Sequence, residues 1–91
     1  MIILQIYKHW YDMIVSGIKK EEYRRIIPYY NSRFEKHING KPVWIKFVNG
    51  YQKKAPSFKA LVTISKGTGK TEWGAEQDVE YYVLSILQIK K

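Results

Sequence analysis

The run from Glu80 to Ile89 carries apolar side chains at consecutive positions, Tyr81-Tyr82-Val83-Leu84, and again at Ile86, Leu87 and Ile89. A strand of this kind has no face to give to water, so it needs cover on both. That requirement predicts a central place in a closed or nearly closed sheet. The remaining walls must come from the rest of a 91-residue chain, which is enough for one domain, residues 1–91, with one core. A domain of this size buries only about 60–65% of its unfolded surface. Its eight Tyr, three Trp and three Phe compensate, because each buries a large area.

The other elements follow from periodicity and turn chemistry. Ile2 to Ile6 is a short, mostly β-branched apolar run that reads as a buried strand. From Lys8 to Ser16 the spacing becomes helical, with Trp10, Met13 and Ile14 on one face and Gly17 where a helix-ending glycine belongs. Lys19 to Arg25 reads as a charged second strand. Pro28 opens a second helix that runs to about Ile38 and stops at Asn39-Gly40. Val43 to Val48 and Phe58 to Lys66 are two further strands, separated by the turn signal Asn49-Gly50, and a glycine-rich loop spans Gly67 to Ala75. The order β-α-β-α-β-β-β predicts an α+β fold: a small mixed β-barrel of about five strands with two helices.

Charge narrows the possible partners. The net charge is +8, and residues 1–70 hold fourteen Lys/Arg against four Asp/Glu, a balance of +10. Residues 71–91 hold two against four, a balance of −2. Such an excess favours polyanions, since each neutralised phosphate releases counterions. It also serves solubility alone. There is no cysteine, which excludes disulfides and cysteine-based zinc sites and suits a reducing compartment. The first residues lack the basic start of a signal peptide, and no apolar stretch approaches the roughly 18 residues of a membrane span. A cytoplasmic, non-membrane protein is expected. His9 and His37 lack metal-ligand spacing, so the sequence predicts neither a metal centre nor a cofactor.

The segment Gly17-Ile18-Lys19-Lys20-Glu21-Glu22-Tyr23-Arg24 concentrates chemistry. Lys19 supplies a compact positive charge, Arg24 a planar fork suited to phosphate or a base edge, and Glu22 an acceptor that orders both or takes an exocyclic amine. The same charges on an edge strand also serve simply to prevent aggregation. The pattern G-x-K-x-x-E-x-R after a first strand and helix resembles the signature of the ASCH domain, at Gly17, Lys19, Glu22 and Arg24. The resemblance covers nearly the whole chain and implies a PUA-like β-barrel that binds RNA or a nucleotide-like ligand in a cleft beside the motif. It also implies an alternative, because some small ASCH proteins are amidohydrolases acting on N4-acetylcytidine through a Lys, a Thr nucleophile and a Glu. In this chain the Thr place is Glu22, which leaves Lys19 and Glu22 as catalytic candidates without a hydroxyl to attack an acyl carbon. Thr63, Thr68 and Thr71 are the hydroxyls that would have to approach from elsewhere.

A second cluster lies in Gly67 to Glu76. Gly69-Lys70-Thr71 imitates the end of a P-loop, but Ile64 stands where the first glycine is required and no helix follows. Gly67 and Gly69 permit close approach of a ligand, Trp73 offers a face for a base, and Glu72 or Glu76 a carboxylate for an amine edge. The plainer reading has Trp73 plugging the barrel end. Asn49, Tyr51, Lys53 and Lys54 complete the expected site as a basic rim, with Thr68 at the mouth of the loop. Tyr29, Tyr30, Tyr81 and Tyr82 are expected mainly as core or rim packing. The expectation is therefore an RNA- or nucleotide-binding module, with the amidohydrolase and a protein-interaction module using the same basic face as alternatives. No helix shows a base-reading basic face, which favours RNA over duplex DNA.

Overall fold

The structure, a computed structural model, describes residues 1–91. Five strands form one sheet: β1 (Ile2–Gln5), β2 (Glu21–Arg25), β3 (Val43–Val48), β4 (Ser57–Thr68) and β5 (Glu80–Lys90), with helices α1 (Lys8–Val15) and α2 (Pro28–Phe34). The spatial order is β1-β3-β4-β5-β2. β1 runs parallel to β3, and every other neighbouring pair is antiparallel. The sheet curls into a half-barrel, with a register shift at Leu61/Val62 in the long β4–β5 ladder. Such an irregularity bends and twists a strand.

β5 lies between β4 and β2, as the apolar run requires, and Tyr81 to Leu84 are all buried. Its second half differs from expectation, since Leu87 is 57% exposed. β2 is only five residues long and pairs with β5 no further than Ser85, so the rest of β5 has one neighbour instead of two. The core inside the curl joins Leu4, Ile45, Phe47, Phe58, Val62 and Tyr82, closed by Ile14 of α1 and Phe34 of α2. No helix is long and apolar enough to cross a membrane.

Three boundaries move for identifiable reasons. β2 begins at Glu21, because Lys19 still belongs to the end of α1. Gly17 takes φ +86, its N–H bonds the Ile14 carbonyl, and the N–H groups of Ile18 and Lys19 both reach the Met13 carbonyl at 3.0 Å. This is a Schellman closure, and it turns Lys19 inward. α2 is shorter than expected and passes into a single 3-10 turn over Glu35–His37. β4 runs two residues beyond Lys66, because Gly67 and Thr68 continue the ladder opposite Tyr81 and Glu80.

Candidate functional site: an aromatic cavity at the open seam

The sheet stops short of a closed barrel between its two edge strands, β1 and β2. One side chain crosses that seam: Arg24 Nη2 of β2 donates to the Gln5 carbonyl of β1 at 2.8 Å. Beside it opens a cavity of about 870 Å³. Its walls are strongly aromatic, with Tyr7 and Trp10 at the start of α1, Tyr23 on β2, Tyr30 on α2, Tyr51 in the β3–β4 loop and Trp73 before β5. Ligand sites of small molecules typically span about 300–1,000 Å³ and are lined in this manner.

The motif residues form a charged knot at the wall of this cavity. Glu22 Oε2 accepts from Arg24 Nε at 3.0 Å and lies 2.9 Å from Nη2, while Oε1 lies 3.3 Å from Lys19 Nζ. Arg24 Nη1 also donates to the Tyr30 hydroxyl at 3.1 Å. Lys19 Nζ donates to the Trp73 carbonyl at 2.6 Å and lies 5.0 Å from the Trp10 ring centre and 4.8 Å from that of Tyr23. Burial pushes the Lys19 ammonium below the ordinary 10.5; the Glu22 charge and hydrogen bond pull it back up, and repulsion from Arg24 lowers it further.

Glu22 and Arg24 line the cavity, and so do Asn49, Tyr51 and Trp73. Lys19 does not: its side chain is wholly buried behind the wall. The helix closure that points it inward places its ammonium under Trp73, where it holds the wall in position. Lys53, Lys54, Thr68, Glu72 and Glu76 are exposed and outside the lining. Glu76 instead faces Arg25, 3.4 Å away. Thr63 and Thr71 are also outside, and the lining contains no Ser, Thr or Cys.

The glycines of the β4–β5 connection serve packing within the protein. A methyl group at Gly69 would come within 2.5 Å of the Tyr23 ring, and one at Gly74, where φ is +102, within 3.0 Å of Trp10. Glycine thus lets this loop lie flat on two cavity-wall aromatics. Tyr23 clamps it further: its hydroxyl donates to Glu21 Oε1 at 2.8 Å and accepts from the Lys70 N–H at 2.9 Å. Burial, with smaller contributions from Glu21 and Glu22, pushes this phenol up to about 12. Lys70 lies over the Trp73 ring at 4.5 Å.

The tyrosine cluster divides. Tyr81 and Tyr82 are core, whereas Tyr29 and Tyr30 line the cavity. Gln5, Tyr7, Trp10 and Tyr23 were not expected in the site. The one local signal for Gln5 was a polar residue interrupting an apolar strand. Trp10 was hidden among the residues of a helix face. No group of three or more His, Cys, Asp or Glu side chains is placed to hold a metal ion. No protein-family model, curated protein or solved structure matches this chain.

Proposed function

We propose that this chain is an ASCH-type module that binds RNA or a nucleotide-like ligand, with a base held in the seam cavity and phosphates on the cationic surface outside it. The observation that carries the reading is a roomy cavity walled by aromatic rings, in a chain of net charge +8. Aromatic faces stack bases with little regard to sequence. Arg24 is committed to Glu22, Tyr30 and Gln5, and Lys19 is buried. Phosphates therefore belong with exposed cations such as Lys53, Lys54 and Lys70, near Tyr51 and Trp73.

Titration of a short single-stranded RNA tests this, read by the fluorescence of Trp10 and Trp73. Affinity should fall by tenfold or more between about 50 and 200 mM salt. Tyr51, 87% exposed, can be removed without disturbing the core. Tyr51→Ala should weaken binding by about tenfold, in the range of one lost stacking contact. Salt-independent binding, or full affinity in Tyr51→Ala, would sink the proposal.

A further inference from the structure

Lys53, Lys54 and Lys70 are not the only solvent-reaching cations beside a hollow. A second, more open groove of about 770 Å³ lies between β1, the start of β3 and the turn that follows α2. Arg33, Lys36 and His37 line it, and no carboxylate does. None of the protein's ion pairs includes Arg33 or Lys36. Glu35, which stands between them in sequence, is engaged by Lys66 and Tyr82 instead. The groove therefore gathers positive charge that the fold leaves uncompensated, and a polyanion is its natural complement.

Arg33 is held in place as well as unpaired. Its Nη1 donates to the Tyr29 carbonyl at 2.8 Å, and its guanidinium carbon lies 3.6 Å from the centre of the Tyr29 ring. Tyr29 packs edge-on against Tyr30, a wall of the seam cavity, with ring centres 5.0 Å apart. Nε and Nη2 of Arg33 bond no group of the protein. A planar fork fixed by its neighbours gives up less freedom on meeting a phosphate than a solvated lysine does.

The two hollows also meet. Ile3 and Tyr29 line both, and they are 56% and 55% exposed, so they form an apolar ridge that a ligand in either hollow can reach. Beyond the ridge, the half-buried Trp44 offers the groove a ring of its own. A mononucleotide in the cavity has no group to spend on this second set of contacts. A single strand does, since beside each base it carries a phosphodiester and then another base.

We infer that the ligand is a strand of at least two nucleotides, which crosses the Ile3–Tyr29 ridge, seats its phosphodiester on Arg33 and Lys36 and sets the neighbouring base against Trp44. This rests on the nucleotide-binding reading of the cavity and narrows its ligand class to a single-stranded oligonucleotide.

Length and charge position provide the test. Adenosine and uridine 5′-monophosphates are titrated beside the corresponding single-stranded tetranucleotides. The better tetranucleotide should bind at least about tenfold tighter than its monophosphate, the worth of one added stacking contact. Its indole NMR shifts should include Trp44, whereas the monophosphate should move only Trp10 and Trp73. Arg33→Gln/Lys36→Gln should erase the gain and lower the slope of log affinity against log salt by about 0.7 per lost phosphate contact. Lys36→Gln alone, at an exposed site where folding is not at stake, should already lose part of it. Lys90→Gln/Lys91→Gln removes the same charge from another exposed place and should keep the gain. The groove is overturned, while the cavity reading stands, if monophosphates bind as tightly as tetranucleotides or if the two double variants lose equally. The same holds if an oligoglutamate peptide of equal charge displaces the tetranucleotide from Trp44 as readily as RNA does. If neither monophosphates nor tetranucleotides bind, both readings fall.

Discussion

Two lysine–carboxylate clusters built from similar parts sit in different surroundings. At the seam, Lys19, Glu22 and Arg24 are sealed in: the Lys19 and Glu22 side chains are 0% and 9% exposed. On the α2 side of the sheet, Lys66 donates to Glu35 Oε1 at 3.2 Å, and Tyr82 donates to Glu35 Oε2 at 2.6 Å. There the lysine and glutamate side chains are 37% and 54% exposed. The same hydroxyl lies 2.6 Å from Asn31 Oδ1, so Glu35 and Asn31 share one phenol proton, which serves one of them at a time. Water screens the second cluster freely and touches only the cavity-facing edge of the first. Buried charge is expensive to isolate, whereas exposed charge is nearly free to lose. The seam cluster therefore holds its strands by mutual dependence, and the α2 cluster adds only increments.

Breaking the seam cluster should produce the largest effect. Glu22→Ala leaves two buried or half-buried cations facing each other, at a cost of about 3–5 kcal/mol in thermal or urea unfolding. For a domain of this size that is a large share of the total stability. Lys19→Met should cost clearly less. It removes the ammonium that burial disfavours and leaves Glu22 still paired with Arg24, forfeiting mainly the bond to the Trp73 carbonyl. Equal losses from the two substitutions would mean that the seam is not governed by uncompensated charge.

The α2 cluster should respond one step lower. Tyr82 is fully buried, and burial, then the hydrogen bond to Glu35 and its charge, push its phenol up to about 12. The folded state thus favours the protonated phenol. The contribution is complete below pH 10 and is lost as pH rises through about 12. Tyr82→Phe should lower the melting temperature by roughly 4–8 °C at neutral pH, as expected for one hydrogen bond in a domain this small. It should also make the alkaline decline shallower without abolishing it, because Tyr23 at the seam is likewise pushed up to about 12. The same bond holds Glu35 below its usual range, so stability that is present above pH 4.5 and lost as pH falls should shrink too. An unchanged alkaline limb would contradict the role given to Tyr82.

The contrast between the clusters explains what the sequence could reveal. The interior position of β5, the terminating Gly17 and the helix-opening Pro28 follow from rules acting within a few residues, and each appears in the fold, although the central strand of the five is β4. The grouping of Lys19, Glu22 and Arg24 was also legible, since all three belong to one short segment. The direction of Lys19 was not, because it depends on two N–H groups sharing the Met13 carbonyl. Nor was the Arg24–Gln5 contact, which joins residues 19 positions apart through the curl of the whole sheet. Gly69 looked like room for a ligand, yet what fills that room is the ring of Tyr23. Local chemistry can be read along a chain, whereas the atom that will occupy a space cannot.

The smallest effect belongs to the most exposed pair. Lys66→Ala deletes the ammonium beside Glu35 but leaves the hydrogen bond from Tyr82 to that carboxylate in place. The lost attraction acts between side chains that water already surrounds, and ions in solution screen most of it. The melting temperature should move by less than about 2 °C at 150 mM salt, and the difference from the parent should disappear at about 1 M. The seam responds differently to salt, because Glu22 and its two cations are largely buried and so only weakly screened. The deficit of Glu22→Ala should persist at 1 M. If salt restored Glu22→Ala as readily as it erases the effect of Lys66→Ala, the seam cluster would have to be as open to solvent as the α2 cluster, and the distinction between them would collapse.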